Sequence, residues 1–183
     1  MFAGRSNVGK SSLINRLLGR TRTAIARVSA QPGKTQEINF YRVRVRPDEE
    51  GGADREFFLA DLPGYGYARV PGALREKWKP LIEGYLQDGR VVGVVQLVDA
   101  RHGPTPEDAA MLEYLGTREL PTLVALTKVD KLKGNARRKA LAERSQELGL
   151  PEEQVLAVSA TTGAGCEALL DSMESLILND DEP

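Results

Sequence analysis

Gly4-Arg5-Ser6-Asn7-Val8-Gly9-Lys10-Ser11 sets two glycines five residues apart, followed at once by a lysine and a serine. Glycines at that spacing let a loop turn its backbone N–H groups inward around phosphate oxygens. A helix starting at the lysine then directs the positive end of its dipole at the same oxygens. Lys10 can reach β- and γ-phosphates, and the Ser11 hydroxyl is an oxygen ligand for magnesium. Alone, the octet specifies a nucleotide phosphate and leaves the base open.

Three later clusters narrow the choice. Asp61-Leu62-Pro63-Gly64 follows an apolar run; an aspartate there can hold magnesium through water, and the Gly64 N–H can sense a γ-phosphate. Thr127-Lys128-Val129-Asp130 follows another. A carboxylate at Asp130 can accept from both N1–H and the exocyclic amine of guanine, whereas adenine has no such donor pair and would leave it unpaired. The Lys128 stem is expected along the base plane. Thr127 stands where asparagine is usual, a departure that leaves the base contact to Asp130. Ser159-Ala160-Thr161 follows a last short apolar run and is placed to offer a backbone N–H to guanine O6. A fourth segment, Gln31-Pro32-Gly33-Lys34-Thr35-Gln36, carries a threonine suited to complete a magnesium shell when the γ-phosphate is present. Thr21, Thr23 and Ser29 compete for that role.

These clusters need a scaffold that brings loop ends together. The apolar runs Val91–Val98, Thr122–Leu126 and Val155–Val158 read as buried parallel strands. Helical spacing covers Pro106–Leu115, Ala136–Leu148 and Cys166–Leu178. Tyr41, Val43 and Val45 alternate with Arg42, Arg44 and Arg46, the pattern of a half-exposed strand. Glu56–Ala60 is its expected antiparallel partner across a Gly51-Gly52 turn. The alternation predicts an α/β, three-layer P-loop fold with a mostly parallel six-stranded sheet. One domain is expected over 1–178, with a disordered acidic tail at 179–183. Only Met1-Phe2-Ala3 precede Gly4, too few for a strand of about five or six residues. The sequence therefore predicts a truncated first strand and a natural chain that starts upstream.

The 183 residues carry a formal net charge of −1, which gives no bulk attraction to nucleic acid or membrane. The single Cys166 excludes an internal disulfide. No apolar run approaches the ~18 residues of a membrane helix, so a cytoplasmic location and no membrane partner are expected. Basic charge is concentrated locally, with seven basic residues against one acidic in 20–46 and seven against two in 128–144. Either stretch can be a solvated face or an rRNA contact. His102, Trp78 and Cys166 read as surface or packing residues.

The octet at 4–11, Pro32-Gly33-Lys34-Thr35-Gln36, Asp61-Leu62-Pro63-Gly64-Tyr65-Gly66-Tyr67-Ala68 and Thr127-Lys128-Val129-Asp130-Lys131-Leu132 resemble the EngB family (also called YihA or YsxC). That family lies within the TrmE-Era-EngA-EngB-Septin-like P-loop GTPases. Trp78 and Tyr85 are in keeping with it. The resemblance implies a monomeric bacterial GTPase acting in assembly of the large ribosomal subunit, with rRNA and ribosomal proteins as partners, and in cell division and septation. It implies nucleotide sites at Gly4, Arg5, Ser6, Asn7, Val8, Gly9, Lys10 and Ser11; at Gly33, Lys34, Thr35, Gln36 and Glu37; and at Asp61, Leu62, Pro63 and Gly64. The base sites it implies are Thr127, Lys128, Val129 and Asp130 with Ser159, Ala160 and Thr161, and its magnesium ligands are Ser11 and Thr35. No catalytic residue is assigned, because Tyr65 occupies the place where Ras-like proteins keep a water-orienting glutamine. Asn7 in the loop is a candidate ligand for an activating potassium ion. Two alternatives stay open: a GTP-dependent RNA- or ribosome-binding module with negligible hydrolysis, and a GTPase of tRNA modification.

Overall fold

The computed structural model describes residues 1–20, 26, 37–45, 55–65, 80, 82–87 and 89–179. Six strands form one sheet: β1 (Phe2–Gly4), β2 (Asn39–Val45), β3 (Arg55–Asp61), β4 (Val94–Asp99), β5 (Thr122–Thr127) and β6 (Val155–Ala157). Their spatial order is β2-β3-β1-β4-β5-β6. Only β2 and β3 pair antiparallel, the hairpin expected from the Tyr-Arg-Val-Arg-Val alternation. Four helices are α1 (Lys10–Leu17), α2 (Pro106–Thr117), α3 (Asn135–Leu148) and α4 (Cys166–Asn179); a further helical segment covers 82–87.

Alternation along the strands sends side chains to two cores. Phe2, Val95 and Leu97 meet Leu13 and Ile14 of α1 and Leu169 and Met173 of α4 on one face. Ala3 and Val94 meet Ile82, Leu86, Met111 and Leu115 on the other. Val98, Val124 and Leu126, on that second face, are covered by Leu112, Leu141 and Leu148. This is the expected three-layer arrangement. Among the described residues, no helix is long and apolar enough to cross a membrane.

One expectation is met and one needs correction. The first strand is truncated, as expected, but present. β1 is three residues long, fully buried and central, with Phe2 in register with both Asp61 and Val95. Its pairing extends past its own ends, because Val95 N–H donates to the Met1 carbonyl at 2.8 Å and an isolated parallel bridge joins Arg5 to Tyr65. The backbone groups of the short strand thus find partners on both sides. The run Val91–Val98 was read too long, since β4 begins only at Val94. Its neighbour starts at Thr122, and the preceding Pro121 has no N–H to continue the ladder. The strands at Thr122 and Val155 and the three helices lie within a residue or two of their predicted bounds. Gly51-Gly52, Trp78 and residues 180–183 lie outside the described residues.

Candidate nucleotide-binding site

β1 carries Gly4 to the carboxyl edge of the sheet, and α1 starts six residues later at Lys10. Between them Asn7 (φ 65°) and Gly9 (φ 105°) adopt left-handed backbone, which curls the loop and leaves the first N–H groups of α1 without helical partners. Lys10 is buried, and its Nζ pairs with Asp61 Oδ1 at the end of β3. Burial pushes the Asp61 carboxyl up, against the opposing pull of Lys10. Gly64 lies so close to the loop that a Cβ there would stand 3.0 Å from the Ser6 backbone nitrogen and Cα. Two bonds fasten this approach: Ser6 Oγ donates to the Gly64 carbonyl at 3.2 Å and Ser6 N–H to the Tyr65 carbonyl at 2.9 Å. The Ser11 hydroxyl and the Asp61 carboxylate are hard oxygen donors, a set that suits magnesium.

The base end is joined to the same loop. Thr127 Oγ1 donates to the Val8 carbonyl at 2.6 Å, so the threonine that departs from the usual asparagine braces the phosphate loop with its hydroxyl. Lys128 sits at φ 61°, and its Nζ donates to the Asn7 carbonyl at 2.5 Å and to Asp99 Oδ2 at 2.9 Å. Asp130 accepts the Ser159 hydroxyl at 2.7 Å. That bond, with Lys131 3.3 Å from the other oxygen, pulls its pKa down and keeps it an ionised acceptor. Arg16 of α1 holds the next loop, donating to the Ala160 carbonyl at 2.7 Å and to Thr161 at 2.5 Å.

Residues 4–11, 61–64, 127–130 and 159–161 therefore converge at the carboxyl ends of β1, β3, β5 and β6. Gly33, Lys34, Thr35 and Gln36 lie outside the described residues, and Glu37 is exposed. His102 is exposed, and the Cys166 thiol is buried and its pKa raised by that burial.

Two groups have partners that the local sequence does not disclose. The first is Tyr65, which is 8% exposed and turned into the core. Its hydroxyl donates to Asp108 Oδ1 at 2.7 Å and accepts from Gln96 Nε2. Burial and the neighbouring Asp108 carboxylate drive its pKa well above the ordinary phenol range. A neutral phenol held this way cannot orient an attacking water. Asp108 in turn completes a capping box with Thr105 at the start of α2, and Thr105-Pro106-Glu107-Asp108 was a readable signal for that much.

The second is Asp99, at the end of β4. Burial alone would raise its pKa, but hydrogen bonds from Arg101 and Lys128 hold it well below the usual carboxylate range. Asp99→Asn should release Lys128 and weaken binding of a fluorescent GDP analogue several-fold, about 1 kcal/mol. Because the folded pKa is the lower one, the native contribution is present above the unfolded value of about 3.9 and lost on acidification. Urea melts should show the wild-type advantage over Asp99→Asn shrinking below about pH 4.

A curled phosphate loop, a lysine–aspartate pair at its mouth and a carboxylate set for guanine, on a sheet of this order, define a P-loop GTPase. The profile of the 50S ribosome-binding GTPase family matches residues 1–128, and that of the elongation factor Tu GTP binding domain matches 89–179. A probable GTP-binding protein EngB of Gemmatimonas aurantiaca is 48% identical over 177 residues, 96% of this chain and 81% of that one. The counterpart in Desulforamulus reducens is 44% identical over 182 residues, 98% and 83% of the two chains. A crystal structure of a probable GTP-binding protein EngB superposes with a TM-score of 0.71 at 26% identity, covering 97% of each chain. Era in complex with MgGDPNP and nucleotides 1506–1542 of 16S ribosomal RNA shares the fold, with a TM-score of 0.75 at 23% identity over 94% of this chain and 54% of that one. The chain belongs to the EngB family of GTP-binding proteins and is a GTP hydrolase.

Proposed function

We propose that this GTPase is an assembly factor for the large ribosomal subunit, released from its precursor particle when GTP is hydrolysed, and that normal cell division depends on it. The observation that carries the reading is the joining of phosphate loop and base pocket into one site on an EngB-family chain. The family profile that covers most of the chain is described as ribosome-binding, and Era, of the same fold, holds ribosomal RNA. Residues 4–11 cradle the phosphates, Gly33–Glu37 and Asp61–Gly64 contact the γ-phosphate side, and Thr127–Asp130 with Ser159–Thr161 hold guanine. Ser11 and Thr35 would hold magnesium, with the Asp61 carboxylate as a further oxygen donor, and the ion would supply positive charge to offset that of the phosphates. Lys10 stabilises the same charge, and Asp130 selects the base.

The buried Tyr65 favours a second reading, a GTP-dependent binding module with little turnover of its own. GTP turnover with and without large-subunit precursor particles separates the two. Stimulation of about tenfold or more by the particle supports the assembly GTPase. Equal rates with no nucleotide-dependent co-sedimentation would overturn it.

Asn7 bears on the missing glutamine. It stands at the lip of the loop in left-handed backbone, exposed, where an amide oxygen can hold a monovalent cation beside the phosphates and offset charge developing between them. Turnover is expected to be several-fold faster in potassium than in sodium buffer, and Asn7→Ala should erase the difference. Equal rates in the two salts would remove the cation from the mechanism.

A further inference from the structure

We propose that the outward face of the β2–β3 hairpin is a docking platform for single-stranded RNA. This rests on the ribosomal reading and gives it a surface. The antiparallel register sets Phe40 opposite Ala60, Arg42 opposite Phe58 and Arg44 opposite Glu56. Alternation turns Tyr41, Val43, Phe57 and Leu59 to the core and leaves the first set on the other face, where Ala60 is buried and Phe40, Arg42, Arg44, Glu56 and Phe58 are exposed. There Phe40 is 53% and Phe58 62% exposed, two of the three exposed large hydrophobic residues among those described.

The two rings are diagonal neighbours with Arg42, also exposed, directly across from Phe58. The Phe40 ring is held upright by Tyr85 of segment 82–87, edge to face at 5.5 Å between centroids. Arg44 is taken up by Glu56, the one acid opposite it, at 2.8 and 2.5 Å. Arg42, opposite Phe58, adds a second positive charge to this face, and Glu56 feels both arginines. Arginine on an edge strand discourages sheet-to-sheet pairing, whereas exposed phenylalanine invites it, so edge protection does not account for both.

Exposed aromatic rings on a sheet with an arginine on the same face match the demands of unstacked bases and their phosphates. Duplex RNA keeps its bases stacked and would leave the rings unused. On the described face Arg42 and Arg44 stand against Glu56 alone, a sign suited to a polyanion. The platform also begins one register step from Asn39–Asp61, beside the nucleotide site, so RNA seated there adjoins the Lys10–Asp61 pair.

The test uses the full chain, a labelled single-stranded oligoribonucleotide of about a dozen nucleotides, a duplex of the same length, and large-subunit precursor particles. Fluorescence anisotropy should show the wild type preferring the single strand. Phe40→Ala and Phe58→Ala should each weaken that binding about tenfold, and Arg42→Ala should weaken it several-fold with a shallower salt dependence. Phe58→Trp should retain it, and unchanged GDP affinity and melting temperature verify the fold of every variant. Unchanged binding by Phe40→Ala/Phe58→Ala would overturn the platform, and if that variant still co-sediments with particles the ribosomal reading survives its loss. Particle binding lost in the variant while the wild type ignores the oligonucleotide would assign the face to a protein partner and also overturn the inference. Oligonucleotide binding through the phenylalanines with no particle binding would sustain the platform and sink the ribosomal reading.

Discussion

Replacing Asp130 by asparagine is expected to lower GTP affinity by about a hundredfold or more and to turn base preference toward xanthosine triphosphate. The carboxylate offers two acceptor oxygens to the N1–H and exocyclic amine of guanine, while an amide presents one acceptor and one donor. The donor then faces the guanine amine, leaving buried groups unpaired, whereas the C2 carbonyl of xanthine accepts from it. Ser159 Oγ, 2.7 Å from Asp130 Oδ1, can still donate to an amide oxygen, while Lys131, 3.3 Å from the other oxygen, loses its acceptor. Competition titrations with GTP and xanthosine triphosphate measure the ratio. A variant that keeps the wild-type preference for GTP would disprove the base contact.

The largest loss of stability is expected from Gly165→Ala. Gly165 has φ +70°, and a Cβ built there overlaps the carbonyl oxygen of Ala157 at the end of β6. Left-handed backbone costs alanine about 1–2 kcal/mol, and forced movement of packed backbone adds about 1–3 kcal/mol. For a chain of this size, the sum corresponds to a fall in melting temperature of about 10 °C. The damage should also reach the base pocket. Ser159 N–H donates to the Ala164 carbonyl at 2.9 Å and Gly163 N–H to the Ser159 carbonyl at 2.8 Å, so the turn that Gly165 closes is the one that presents Ser159. Calorimetry with and without GDP checks both effects, and a variant melting within about 2 °C of wild type would refute the clash.

What the sequence disclosed and what it withheld divide along chain distance. The octet at 4–11 and the clusters at 61, 127 and 159 are each runs of contiguous residues, so type and spacing sufficed to propose them. The hairpin of β2 and β3 announced itself through strict alternation of Tyr41, Arg42, Val43, Arg44 and Val45. The partners of Tyr65 lie 31 and 43 residues away, and nothing local to Tyr65 says that its hydroxyl is buried. Asp99 and Arg16 act on loops supplied by other strands, Arg16 across 144 residues to Ala160. The brevity of β1 was legible in the three residues before Gly4; its pairing through the Met1 carbonyl and the Arg5–Tyr65 bridge was not.

The struts from Thr127 to Val8 and from Lys128 to Asn7 make the site a calliper whose jaws cannot slide. On the proposed reading one jaw takes the purine and the other the diphosphate, and hydrogen bonds within the protein set the distance between them. Guanosine alone or pyrophosphate alone would each forfeit the effective concentration that the tether between them supplies. On that reading GDP and GTP present the same two handles to the frame, which would grip both alike. Telling them apart would then fall to parts outside the calliper, chiefly the Asp61–Gly64 loop, which meets the frame through Ser6 and Lys10. A substitution in a strut should therefore weaken both nucleotides together and leave their ratio intact, while one at Gly64 should change the ratio first.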